Sequence, residues 1–107
     1  MNVFSKFTKL REVKTVTIDG EQFTVEFRAL SVGLYRQMLE MGPLADYYAV
    51  LHGVYDAETG AQMFGTLEEV QEISGSVVMQ LAGEVATIST KDLLQKKTTI
   101  QQLESKS

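Results

Sequence analysis

A chain of 107 residues with 44% hydrophobic and 22% charged residues has the size and composition of one globular domain with a single modest core. It holds no Cys and one His, which excludes disulfides, works against an ordinary zinc site and suits a reducing compartment. The net charge of −4 is segregated into +2 over residues 1–36, −8 over residues 37–90, where Lys and Arg are absent, and +2 over residues 91–107. An acidic centre disfavours nucleic acid, because phosphates demand clustered Lys and Arg. It suits either plain solvation of helix faces or the basic end of another subunit or partner.

Residues 1–12 carry Val3, Phe4, Phe7 and Leu10 among Lys6, Lys9 and Arg11. This is a docked helix, a lead-in to a strand or a partner contact; a membrane-surface helix needs greater amphipathic length. There is no apolar stretch of signal-peptide length, which argues against export by that route. No apolar run of membrane-spanning length occurs anywhere in the chain.

From Val13 the period becomes two. Val16 and Ile18 face one way and Thr15 and Thr17 the other; after Asp19-Gly20, Phe23, Val25 and Phe27 alternate with Thr24, Glu26 and Arg28. Asp-Gly is a turn signal, since Gly accepts positive φ and Asp bonds its own turn backbone. A two-residue turn sets Val16 opposite Phe23, whereas a four-residue turn sets Ile18 there. Either register keeps the five apolar side chains on one face, which the downstream helices must cover.

Ser31 fits an N-cap, with Leu30 and Tyr35 at the staple positions around it. Leu34, Tyr35 and Met38 give the stripe, and Gly42-Pro43 stops the helix. Residues 45–55, ADYYAVLHGVY, form an apolar run that reads as a buried helix capped by Asp46, with Gly53 either weakening it or permitting close packing. A polar turn over Asp56–Gly60 follows. Thr66-Leu-Glu-Glu69 matches a capping box, and Leu67, Val70 and Ile73 supply the apolar face of its helix. Ser74-Gly75-Ser76 breaks or kinks the chain before a second stripe of Val78, Leu81, Ala82, Val85 and Ile88. In the tail, Leu93, Ile100 and Leu103 recur at near-helical spacing, too sparsely to stand alone.

The sequence therefore predicts an α+β fold: an N-terminal β-hairpin (about 13–28) packed on three to four helices (about 32–41, 45–55, 67–74 and 76–89). Residues 1–90 are one domain, and residues 91–107 a flexible or conditionally helical tail. Chemistry is scarce. His52 and Asp56 stand four apart on the expected helix, without the nucleophile and pocket a dyad needs. Asp56-x-Glu58-x-Gly60 fails as a calcium loop, because Leu67 stands where the bidentate Glu belongs. No phosphate loop, nucleophile elbow or HExxH occurs. These readings predict no enzyme activity, no cofactor and no metal.

The order of signals resembles the tail assembly chaperones of long-tailed, siphovirus-type double-stranded DNA phages. The residues carrying the resemblance are Asp19-Gly20, Arg28-Ala29-Leu30-Ser31, Asp56 through Gly60, Phe64, Thr66, Glu68-Glu69-Val70, Leu81 and Ile88-Ser89, across residues 13–90. The resemblance implies a non-enzymatic role in virion morphogenesis in the host cytoplasm. Such chaperones coat the tape measure protein, help recruit tail tube subunits and are absent from the finished virion. A translational frameshift often yields a longer form that contacts the tube protein. A chaperone of long helices needs apolar or Met-lined grooves and self-association along its client. Candidate partner or self-association residues are Phe4, Phe7, Met63, Phe64, Glu68, Glu69, Glu72, Leu93, Ile100 and Leu103. Two other readings stay open: a tail completion or tube-associated virion protein, and a host regulatory or antitoxin-like module whose acidic centre mimics nucleic acid.

Overall fold

The computed structural model describes residues 9–105, with side chains from residue 9 to residue 95. In chain order the elements are β1 (Arg11–Ile18), β2 (Glu21–Arg28), α1 (Val32–Glu40), a 3-10 turn (Gly42–Leu44), α2 (Ala45–Gly53), β3 (Val54–Asp56), α3 (Leu67–Gln71) and α4 (Gly75–Ser105). The fold is α+β, an antiparallel sheet packed against helices.

The hairpin takes the two-residue turn, with Val16 opposite Phe23 and Ile18 opposite Glu21. Asp19 (φ 52°) and Gly20 (φ 82°) both occupy the left-handed region, as a type I′ turn requires. Val16, Val25 and Phe27 are buried on the inner face. Glu12 and Lys14 share that face of β1 and meet α4, with Lys91 at 3.4 Å from Glu12 and Glu84 at 2.8 Å from Lys14. One acid of the acidic centre is thus matched by a base from the first block within the chain. The Glu84 hydrogen bond and charge raise the Lys14 ammonium above its usual range. Exposed pairs like these orient elements more than they stabilise them.

On the outer face Glu26 is buried between Arg28 at 3.1 Å and Arg11 at 3.7 Å. The Arg28 guanidinium lies 3.8 Å above the Tyr55 ring and donates to the Gly60 carbonyl. This face is polar, as the alternation predicts, but its central carboxylate is enclosed.

Two expectations change. The apolar run of residues 45–55 is not one helix: α2 ends at Gly53, and Val54–Asp56 form a third strand antiparallel to Val25–Phe27. A three-residue strand lives on its partner, and β2 offers a free edge there. β3 covers only that part of the edge; among the described residues β1 has no strand on its outer side. Asp46 does not cap α2 either. It sits inside the first turn, and the capping position belongs to Leu44, which makes no side-chain cap bond.

The other helices follow their signals. Ser31 Oγ accepts from the Leu34 N–H at the start of α1, and Gly42 (φ 58°) turns the chain at its end. Thr66 Oγ1 accepts from the Glu69 N–H, while the Glu69 carboxylate reaches back to the Gly65 N–H, one residue before the usual partner of a capping box. Backbone helix in α4 continues to Ser105, through the tail. Its buried stripe includes Val78, Leu81, Ala82, Val85 and Ile88. Gly53 permits close packing: a Cβ there would lie 2.5 Å from a Val85 methyl, so α2 and α4 touch through this glycine.

Candidate functional site: an apolar groove at the hairpin tip

The hairpin tip is incompletely covered. Phe23, expected beneath the helices, is 43% exposed. The result is a groove of about 310 Å³. The sheet wall is Val16, Ile18, Phe23 and Val25; the facing wall is Val77 and Leu81 of α4 with Ile73 from the link before it. Met63 and Phe64 close the side. Met63 is held by its N–H, which donates to the Val54 carbonyl at 3.1 Å, and by the adjoining Tyr55–Gln62 bridge. The approach to that bridge is itself shaped by Asp56, whose carboxylate accepts from the Glu58 and Thr59 N–H groups, and by Gly60 at φ 74°. These bonds hold the Asp56 carboxyl below its usual range.

Every side chain lining the groove is hydrocarbon, aromatic or thioether. Such a surface has no group to accept or donate a proton, and what it can do is bury apolar side chains. Its volume is at the low end of the roughly 300–1,000 Å³ usual for ligand pockets, with room for one or two large side chains.

The candidate residues divide by position. Met63 and Phe64 line the groove. Glu68 and Glu72 are exposed on and just after α3, which leads into Ile73 of the groove wall. Glu69 is committed to its cap. Leu93 is exposed on α4, twelve residues beyond Leu81, or about 18 Å along the helix, so it belongs to another part of the surface. Phe4 and Phe7 lie outside the described residues, as do the side chains of Ile100 and Leu103. Sequence reasoning assigned Ile18, Phe23 and Val77 to core or left them aside. The signal that marks them is a row of large apolar residues crowded at the tip of the hairpin, Val16, Ile18 and Phe23.

The residues that carry the family resemblance serve the fold. Leu30 N–H donates to Ser89 Oγ at 2.9 Å, tying two of the quoted segments together. Arg28 joins a third through Gly60. Val70 and Ile88 are core. His52 and Asp56 are not helical neighbours, since α2 ends between them; His52 stacks on Tyr48, ring centroids 4.4 Å apart, and burial lowers its pKa. Among the described residues no three His, Asp or Glu side chains gather as metal ligands, and no helix is long and apolar enough to cross a membrane. Comparison with protein families, with curated proteins and with solved structures finds no match to this chain.

Proposed function

We propose that the protein is a non-enzymatic assembly chaperone of the phage-tail kind, holding apolar segments of the tape measure protein in the groove at its hairpin tip. The observation that carries this reading is the lining of the groove. It is wholly apolar, opens at Phe23 and Met63, and holds no ionisable side chain. A site of that composition binds without reacting. An amphipathic helix presents one or two large side chains per turn, which is what the groove accommodates. Met at the lip adapts to differing partners. The proposal includes self-association, recruitment of tail tube protein mainly through a frameshifted longer form, action in the host cytoplasm and absence from the finished virion. Nucleic acid and membrane are not among its partners; the acidic segments around the groove disfavour the first.

The test is co-expression with the tape measure protein encoded in the same genome. The client's soluble yield rises with the native chain and falls back with Met63→Glu, which places a charge at the lip. No pull-down and no gain in solubility would sink the proposal. The open edge of β1 favours a second reading, a tube-associated virion protein joined by strand addition. Mass spectrometry of purified virions separates the two, because a chaperone is missing from them.

A further inference from the structure

We propose that residues 3–9 of one copy dock in the apolar groove of a second copy, joining chains head to tail. This goes beyond the client reading and requires no client.

Three observations converge on that occupant. The first is chemical fit. Residues 1–8 precede the described part of the chain and contain Val3, Phe4 and Phe7. Two phenyl rings three residues apart suit a groove that takes one or two large apolar side chains.

The second is charge. Residues 1–11 carry Lys6, Lys9 and Arg11 and no acid. The segments that build the groove, residues 15–27 and 54–81, carry eight acids and no Lys or Arg. Glu21 shares the groove face with Ile18, its partner across the hairpin, and Glu72 adjoins Ile73. A basic apolar segment meeting an acidic-flanked apolar groove is complementary in both respects.

The third is reach, which works against the same chain. The Leu10 N–H is anchored to Asp92 Oδ1 at 2.9 Å, at the opposite end of the hairpin from the tip. Val16, level with Phe23, is six residues further on, about 20 Å along an extended strand. Phe7 stands three residues before Leu10 and commands at most about 11 Å of chain. Phe4 attains the level of Val16 only when fully extended, at about 21 Å, with no residue left for the reversal of direction. The tip end of the groove, at Phe23, therefore cannot take both rings of the same chain, whereas a neighbour's segment meets no such limit. Tail and groove are different surfaces, so the contact is heterologous and propagates into rings or open filaments.

The test is complementation between two full-length variants, read as mass by light scattering. Phe4→Ser/Phe7→Ser removes the tail's rings and keeps the groove. Met63→Glu blocks the groove and keeps the tail, with Phe23→Thr as its replacement if circular dichroism shows the former unfolded. The native chain associates, and the contact weakens as salt is raised from about 50 to about 500 mM. The double Phe variant loses association by about 100-fold, roughly tenfold for each ring removed from apolar contact, and the blocked groove loses it as well. An equimolar mixture of the two forms a two-chain species and nothing larger, because only one productive tail–groove pair exists. A monomeric native chain overturns the proposal, as does native-like association of the double Phe variant or a mixture that stays monomeric. No client is present in these measurements: loss of the tail–groove contact alone leaves client binding standing, a monomeric native chain also removes the self-association included in the chaperone reading, and a failed co-expression leaves this contact standing.

Discussion

Gly53→Ala tests the packing of α2 on α4 most directly. Gly53 has no positive φ and ends α2, so the backbone accepts Ala and the whole cost is steric. The new Cβ would lie 2.5 and 2.6 Å from the two Val85 methyls and 3.1 Å from the Val85 Cβ. Carbon atoms prefer about 3.5–4.0 Å, so the overlap is about 1 Å. Val85 is fully buried, and a β-branched residue within a helix has essentially one χ1 rotamer, so it cannot swing aside. The helices must separate instead. Overpacking of this kind costs about 1–3 kcal/mol. The gain in helix propensity is at most about 1 kcal/mol and smaller at a terminal position. The expected result is a net loss of about 1–2 kcal/mol in urea unfolding, or a fall in Tm of roughly 5–10 °C. Val85→Ala alone leaves a cavity and costs about 1.5–3 kcal/mol. Combined with Gly53→Ala it restores the space, so the double variant is more stable than the sum of the singles by about 1 kcal/mol or more. A Gly53→Ala protein as stable as the native one, or strict additivity in the cycle, would refute the steric argument.

Gly20→Ala makes the opposite case. Nothing lies within 4 Å of a Cβ there, but φ is 82°, so a loss of about 1–2 kcal/mol comes from the backbone alone and no second-site cavity relieves it; thermal unfolding of Gly20→Ala with and without Val16→Ala checks this. Ser89→Ala strips the buried Leu30 N–H of its acceptor and is expected to cost about 1–3 kcal/mol in chemical denaturation, and a change within error would show that another acceptor takes over. His52 has its pKa lowered from 6.5 by burial, so the unfolded chain binds the proton more readily. Stability is then full above about pH 7 and declines as pH falls through 6.5 toward the lower folded value. An NMR titration placing His52 at or above 6.5 contradicts this.

How far the sequence is legible differs from element to element. The hairpin shows because alternation and Asp-Gly are local signals, and the turn conformations then select the register that alternation leaves open. The N-caps at Ser31 and Thr66 are equally local. β3 does not show, because Ala49–Tyr55 is apolar on every face and periodicity cannot divide such a run between helix and strand. What divides it is the free edge of β2, which is not encoded nearby. The groove is hidden for a related reason. An apolar residue reads as core from its pattern, and whether anything covers it depends on distant elements. Phe23 and Phe27 have identical patterns; one is 43% exposed and the other 1%. Of the candidate residues, Met63 was distinguishable because a large apolar side chain in a loop has no stripe to belong to.

The two ends of the hairpin are tied to one turn of α4: Leu10 N–H to Asp92 Oδ1, and Leu30 N–H to Ser89 Oγ. Eighty-two residues separate Leu10 from its anchor. A chain leaving the ribosome at about 5–20 residues per second therefore carries its first strand for roughly 4–16 s before Asp92 exists to fasten it. Through that interval the hairpin has its turn and its ladder but not this fastening to α4, and its apolar face waits for the α4 stripe that joins it in the core.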